Sequence, residues 1–182
     1  MANEPYQEAG FDVPLNEEPH LIQSGRMAEI VTRIVEIEGP VHADEITRRV
    51  TTLWGLQRTG SRIVAAVNKG ISVAVRREAI VRDGEFCEAT GTDEPTVRDR
   101  SDVSSPTLRK PEMLPPSEIR EGLKVVVEAG LGVGREEAII VVTRLLGFKA
   151  ASAQLREIID REVNWLIEIE VLVESGGVLQ LA

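Results

Sequence analysis

The sequence predicts a mainly α fold with small β-hairpins, built twice from one unit. Three observations carry this. Apolar residues recur at helical spacing in two long stretches. Each stretch closes on a short apolar run split by a glycine-containing turn. The two stretches also align on each other without a gap over most of their length.

The alignment sets Gly55 on Gly147, an offset of 92. Glu45 then falls on Glu137, Leu56 on Phe148, Ile63 on Leu155, Val67 on Ile159 and Ile71 on Val163. Ile80 falls on Leu172, Gly84 on Gly176 and Phe86 on Val178. Upstream, Glu29-Ile30 matches Glu118-Ile119 if the second copy carries three extra residues.

In copy 1 (24–90), Met27, Ile30, Val31, Ile34, Val35 and Ile37 predict an amphipathic first helix, which Gly39-Pro40 stops. Val41 begins a brief extended link. A second helix runs from Asp44 to Leu53, with Ile46, Val50 and Leu53 inward. Trp54-Gly55-Leu56 is the turn. Thr59 or Ser61 is placed to cap a third helix through its hydroxyl. Ile63, Val67, Ile71 and Val75 set that helix's apolar stripe at intervals of four. AIVRDGEFCEA then reads as a hairpin turning at Asp83-Gly84, and VLVESGGVLQL as its counterpart in copy 2 (117–182). Helix, helix-turn-helix and a closing hairpin is the winged-helix plan, so the expected architecture is a tandem winged-helix-like repeat. A unit of this size has a small core of its own, and two copies packed together would share apolar surface. Residues 1–23 read as an extended N-terminal arm and 91–116, rich in Pro, Ser, Thr and charge, as a linker.

Composition narrows the function classes. The chain has 182 residues, a formal net charge of -9 and 3% aromatic residues, so its core must be aliphatic. No apolar run approaches a membrane span. The N-terminus lacks a signal-peptide pattern. Cys87 is the single cysteine, which excludes an intrachain disulfide and a cysteine zinc site. A cytoplasmic location is expected. The acidic balance argues against a nonspecific nucleic-acid coat but not against a local basic edge. Residues 24–91 carry ten Lys/Arg against nine Asp/Glu, while 116–182 carry seven against eleven.

The runs IVEIEGPVHADEITRRV, WGLQRTGSRI and REAIVRDGEF resemble an uncharacterised domain family. That family occurs near the C-terminus of large bacterial superfamily 1 helicase-like proteins, which often also carry a Vsr-like endonuclease segment. PYQEAGF and VRDRS resemble that family's flanks, and PSEIREGLKVVVEAGLGVGREEAIIVVTRLLGF the segment that follows the domain. The resemblance implies a setting in DNA metabolism and supplies no activity. The sequence has no Walker A pattern, helicase motor motif or clustered acidic nuclease motif. It is expected to be either a stand-alone relative or a C-terminal piece of a longer protein.

The candidate site is RRVTTLWGLQRTGSRI, with four arginines in sixteen residues. If the third helix enters a major groove, Arg58, Thr59, Ser61 and Arg62 lie at its start, with Arg48 and Arg49 on the preceding helix. Lys69, Arg76 and Arg77 continue the basic character, and Arg82 lies in the wing. Arginine forks onto phosphate or guanine. The bland alternative is a solvated face paired with Glu36, Asp44, Glu45 or Glu78. Copy 2 loses this edge: Arg48, Arg49, Arg58 and Arg62 become Ile140, Val141, Ala150 and Gln154. REEAIIVVTRLLGF is apolar on nearly all faces and is expected to be buried on more than one side, as in a packing or dimerisation unit.

Other features read as structural. His42, Asp44 and Glu45 suit a helix N-terminus better than a metal. His20 has no evident partner. Cys87 reads as a small buried residue. Gly130-Leu-Gly-Val-Gly134 lacks the βαβ setting of a phosphate loop and reads as a connector. Trp54 is expected to plug the helix-turn-helix core and Trp165 to lie between copies. No catalytic constellation, metal site or cofactor motif is found. The expectation is therefore a noncatalytic accessory module contacting double-stranded DNA. Its rival is a protein-interaction or structural module that meets a helicase-like protein or a second copy of itself.

Overall fold

A computed structural model describes residues 3–182; the first two residues of the expected arm lie outside them. About half of the described chain is helical, with six α-helices and small sheets, so the protein is mainly α with small β elements. The chain divides into two compact units. The N-terminal unit is Gln7–Asp93; the C-terminal unit is Glu94–Ala182 together with the segment ending at Tyr6. That segment carries β1 (Glu4–Pro5), which pairs in parallel with β5 (Arg98–Asp99).

In the N-terminal unit, α1 (Ser24–Glu38) buries Met27, Val31, Ile34 and Val35 at helical spacing. A two-residue strand, β2 (Val41–His42), leads into α2 (Ala43–Leu53). The Asp44 amide donates to His42 Nδ1 at 3.0 Å, so the imidazole caps α2. After the Trp54-Gly55 turn, α3 (Ser61–Arg76) packs on α1. Gly70 marks their close approach: a Cβ there would lie 2.6 Å from Met27 Cγ. β3 (Ile80–Asp83) and β4 (Phe86–Ala89) form the hairpin, and the antiparallel sheet order is β2-β4-β3. Its turn is Gly84-Glu85, one residue later than expected, with Gly84 at φ 57°. Glycine at the first turn position meets that left-handed backbone without strain.

The C-terminal unit repeats this order: α4 (Pro116–Ala129), β6 (Val133–Gly134), α5 (Arg135–Leu145), α6 (Ala153–Glu168), β7 (Leu172–Ser175) and β8 (Val178–Leu181). Its sheet order is β6-β8-β7. Every one of these elements starts 92 residues after its counterpart. The first helix keeps that offset as well. Met27, Val31, Ile34 and Val35 correspond to the buried Ile119, Leu123, Val126 and Val127, so the expected three-residue insertion is absent. Burial, rather than the Glu-Ile dipeptide, sets the register.

The repeat also extends into the arm and the linker. A single 3-10 turn at Pro19–Leu21 recurs at Pro111–Met113, and buried Ile22 corresponds to buried Leu114. Residues 7–23 form a strap on their own unit: Ala9 and Ile22 enter the core, and Trp54 Nε1 donates to the Glu17 carbonyl at 2.8 Å. Residues 94–115 do the same, burying Arg98, Arg100, Leu108 and Met113. Extended segments anchored by a few side chains leave no period in the sequence, which is why both read as unpacked.

Three further expectations change. Val75 is exposed, and Gly70, Val73 and Ala74 complete the buried face of α3. A strict four-residue spacing drifts around a helix of 3.6 residues per turn and leaves the core after three steps. Neither Thr59 nor Ser61 caps α3; its N-cap is Gly60, and the Thr59 hydroxyl meets that of Thr51 at 2.9 Å. α5 is buried on one side only, through Ala138, Ile139, Val142 and Thr143, with Ile140 exposed.

Candidate nucleic-acid interface

The outward face of α3 has three parallel strips. On a helix of 3.6 residues per turn, residues seven apart fall almost on one line, about 10 Å apart along the axis. Arg62, Lys69 and Arg76 are such a set, and all three are exposed. Beside them, at the centre of the face, lie the small exposed residues Ser61, Ala65 and Ser72. On the far flank, toward α2, lie Val64 and Asn68. That flank borders a depression of about 210 Å³ lined by Asp44, Thr47 and Arg48 of α2, Thr59 of the turn, and Val64 and Asn68. α3 contains no acidic residue. Among the described residues, Arg58, Arg62, Lys69 and Arg76 make no ion pair. The charges of these four side chains are therefore not paired off among the described residues.

The sequence candidates divide accordingly. Arg58, Thr59, Ser61, Arg62 and Lys69 are all exposed on the turn or on α3. Arg48 is half-exposed and held by Glu45 at 2.7 Å. Arg82 stays within its hairpin: its Nε donates to the Gly84 carbonyl at 2.9 Å and its Nη2 lies 3.4 Å from Glu85. Arg49 requires a correction. It is 2% exposed, and its guanidinium meets the Glu38 carboxylate, with Glu8 at 2.9 Å and Glu45 at 3.9 Å. A guanidinium enclosed by three carboxylates is internal structure and does not reach a phosphate. Sequence reading misses this because Arg48 and Arg49 are adjacent, and on a helix adjacent residues point about 100° apart. Val64, Ala65, Asn68 and Ser72 are not among the sequence candidates; a helical wheel of α3 finds them, since they share the face with Lys69.

The corresponding face of the C-terminal unit is different. Ala65, Asn68 and Arg76 become Glu157, Asp160 and Glu168, and Arg82 becomes Glu174. Arg135, in place of Ala43, donates to Asp160 at 2.7 Å and to Glu174 at 2.8 Å. The hydrogen bond to Asp160 outweighs partial burial and raises the Arg135 pKa further. Two of these four acids are thus tied to Arg135, while Arg161, in place of Lys69, stays exposed. Trp165, expected between copies, lies under the Arg120 guanidinium at 3.5 Å from the ring centroid and is partly exposed.

Other candidate chemistry is structural. Cys87 is fully buried, and burial pushes its thiol up to about 11. Among the described residues no cluster of three or more His, Cys, Asp or Glu is placed to hold a metal. The Gly130–Gly134 run is a connector, with Leu131 and Gly132 at positive φ. Among the described residues no helix is long and apolar enough to cross a membrane.

Residues 17–65 match the model of a family described as a protein of unknown function (DUF3320). The match covers α1, α2, the turn and the start of α3, so the N-terminal unit contains an uncharacterised domain of unknown function. No curated protein and no solved structure matches the chain.

Proposed function

We propose that both units are winged helices and that the N-terminal one binds double-stranded DNA through α3, as a noncatalytic accessory module of DNA metabolism. The winged-helix reading is supported by element order and by the sheet, in which the short strand after the first helix pairs with the second strand of the hairpin. The DNA reading rests on one observation above all: the unpaired Arg62–Lys69–Arg76 line on an acid-free helix that follows a helix-turn-helix bend. Such a helix supplies local positive potential within an acidic chain, which phosphate binding requires. Arg58 at the turn and Arg82 in the wing extend the same edge. Moving Arg82 onto a phosphate costs little, because an exposed pair such as Arg82–Glu85 contributes at most about 1 kcal/mol.

The C-terminal unit serves, on this reading, as a packing or partner-facing unit in the cytoplasm. A second reading makes the whole chain a protein-interaction module without nucleic acid, joined to a helicase-like protein or to a second copy. The exposed Leu131, Ile140, Trp165 and Ile169 of the C-terminal unit favour it.

Fluorescence anisotropy with labelled duplex DNA separates the two. The full chain and an Arg58→Glu/Arg62→Glu variant are compared at low and physiological salt. Binding that weakens with salt and is lost in the variant supports the DNA module. No binding at low salt rejects it in favour of the interaction module, and equal binding by the variant rejects the α3 edge as the DNA contact.

A further inference from the structure

The three strips of α3 differ in chemistry, and the difference has the form of a groove reader. A helix with its side chains is about 10–12 Å across, and the major groove of B-form DNA is about 12 Å wide. Small side chains on the leading face let such a helix sit deep enough for a short side chain to reach base edges. The leading face of α3 is Ser61, Ala65 and Ser72. Cations flank this ridge on one side as Arg62, Lys69 and Arg76; on the other, the depression is lined by Asp44 and by Arg48, which Glu45 holds at 2.7 Å. A helix lying in a groove passes between two phosphate strands; this face offers unpaired cations to one and, to the other, Arg48 once it leaves Glu45. Between the ridge and Arg48 lies Asn68. It is exposed, and its side-chain amide makes no hydrogen bond among the described residues. A free amide beside a groove-facing ridge matches the donor and acceptor that adenine presents in the major groove.

We propose that α3 reads B-form DNA sequence-selectively from the major groove, with the Ser61–Ala65–Ser72 ridge toward the base edges and Asn68 pairing with adenine. This inference rests on the DNA-binding reading above and adds the ligand form and the specificity-determining residue. Double-stranded RNA is excluded by the same geometry, because its major groove is too deep and narrow for a helix.

The test starts with selection of duplexes from a randomised DNA library by the full chain. Anisotropy at physiological salt then compares the enriched duplex, a scrambled duplex and the enriched sequence as double-stranded RNA. The expected result is a preference for the enriched duplex on the order of 10-fold or more, with the RNA no better than the scrambled DNA. Asn68→Ala removes the preference at one adenine and leaves affinity for the scrambled duplex unchanged. Ala65→Trp keeps every cation but lowers affinity for the enriched duplex to that for the scrambled one. Both positions are exposed, and circular dichroism melts matching the wild type show that each variant folds. Salt-sensitive binding without any enriched sequence, or RNA binding equal to DNA, overturns the groove reader while leaving a charge-driven module. Absence of binding to any duplex at low salt overturns both.

Discussion

The two units share one fold and one register, yet they use charge in opposite ways. In the N-terminal unit the strap supplies the acid: Glu8 meets Arg49 of α2, which also meets Glu38 at the end of α1. In the C-terminal unit the strap supplies the base. Arg100, which occupies the position of Glu8, donates to both Glu118 oxygens at 2.7 and 2.6 Å, and Glu118 also accepts the Arg98 amide at 2.8 Å. Burial works against the Arg100 charge, but Glu118 and its hydrogen bonds more than offset this and raise its pKa. The surfaces diverge in parallel. The α3 face is basic and unpaired, whereas the α6 face is acidic and tied to Arg135. A duplicated backbone thus holds its register through apolar positions and turn glycines. Charges, which pair locally, are free to invert inside and to be rebuilt outside.

The largest expected effect tests the inverted clusters. Arg49→Ala in one unit and Glu118→Ala in the other each strand opposite charge in a buried site, at a cost of about 3–5 kcal/mol. Guanidinium unfolding followed by circular dichroism reads the loss. A cost below about 1 kcal/mol in either unit would mean that its cluster is solvated, and the comparison would fail there.

Next is a matched pair of glycines. Gly55 and Gly147 both adopt positive φ, 68° and 89°. A Cβ on Gly55 meets nothing within 4 Å, so Gly55→Ala carries only the backbone penalty of about 1–2 kcal/mol. A Cβ on Gly147 would overlap the strap at the Asp99 carboxylate and the Arg100 and Ser101 amides. Gly147→Ala should therefore cost clearly more, about 3 kcal/mol or above, as strain and overpacking add. Equal shifts in the two variants would show that the strap does not press on this turn.

A smaller effect is expected at the first-to-third helix contact. Gly70→Ala should cost about 1–3 kcal/mol, since Met27 must shift to admit the methyl group. The matching position, Glu162, is instead bound to Arg120 at 2.6 Å, so Glu162→Ala exchanges an ion pair for space rather than creating a clash. Thermal unfolding of the two variants ranks them.

The smallest effect is at Cys87, whose counterpart Leu179 does not titrate. Folding favours the neutral thiol, so its stabilising contribution is present below the ordinary value near 9 and declines as pH rises from there toward about 11. Iodoacetamide at pH 8 should label the native chain far more slowly than the denatured one. Rapid native labelling would mean that the β4 core opens readily.

Much of the fold is legible in the residues alone. Ile63, Val67 and Ile71 locate α3, the offset of Gly55 and Gly147 locates its twin, and the hairpins follow from their glycines. The straps are not legible, because Ala9, Ile22 and Leu108 are anchored one by one and carry no period. The candidate site is half legible. Charge picks out Arg58, Arg62 and Lys69, but it does not separate half-exposed Arg48 from buried Arg49, and it gives no reason to notice Asn68 or Ala65.

The sequence by itself determined the element types, the duplication and the basic excess of the first copy, since hydrophobic period and glycine placement are local signals. Only the tertiary structure decided which charges face inward and which strip of α3 remains unpaired. Those outcomes depend on residues as distant as Glu8, Glu38 and Arg49 meeting in one buried site, and no local pattern encodes that meeting.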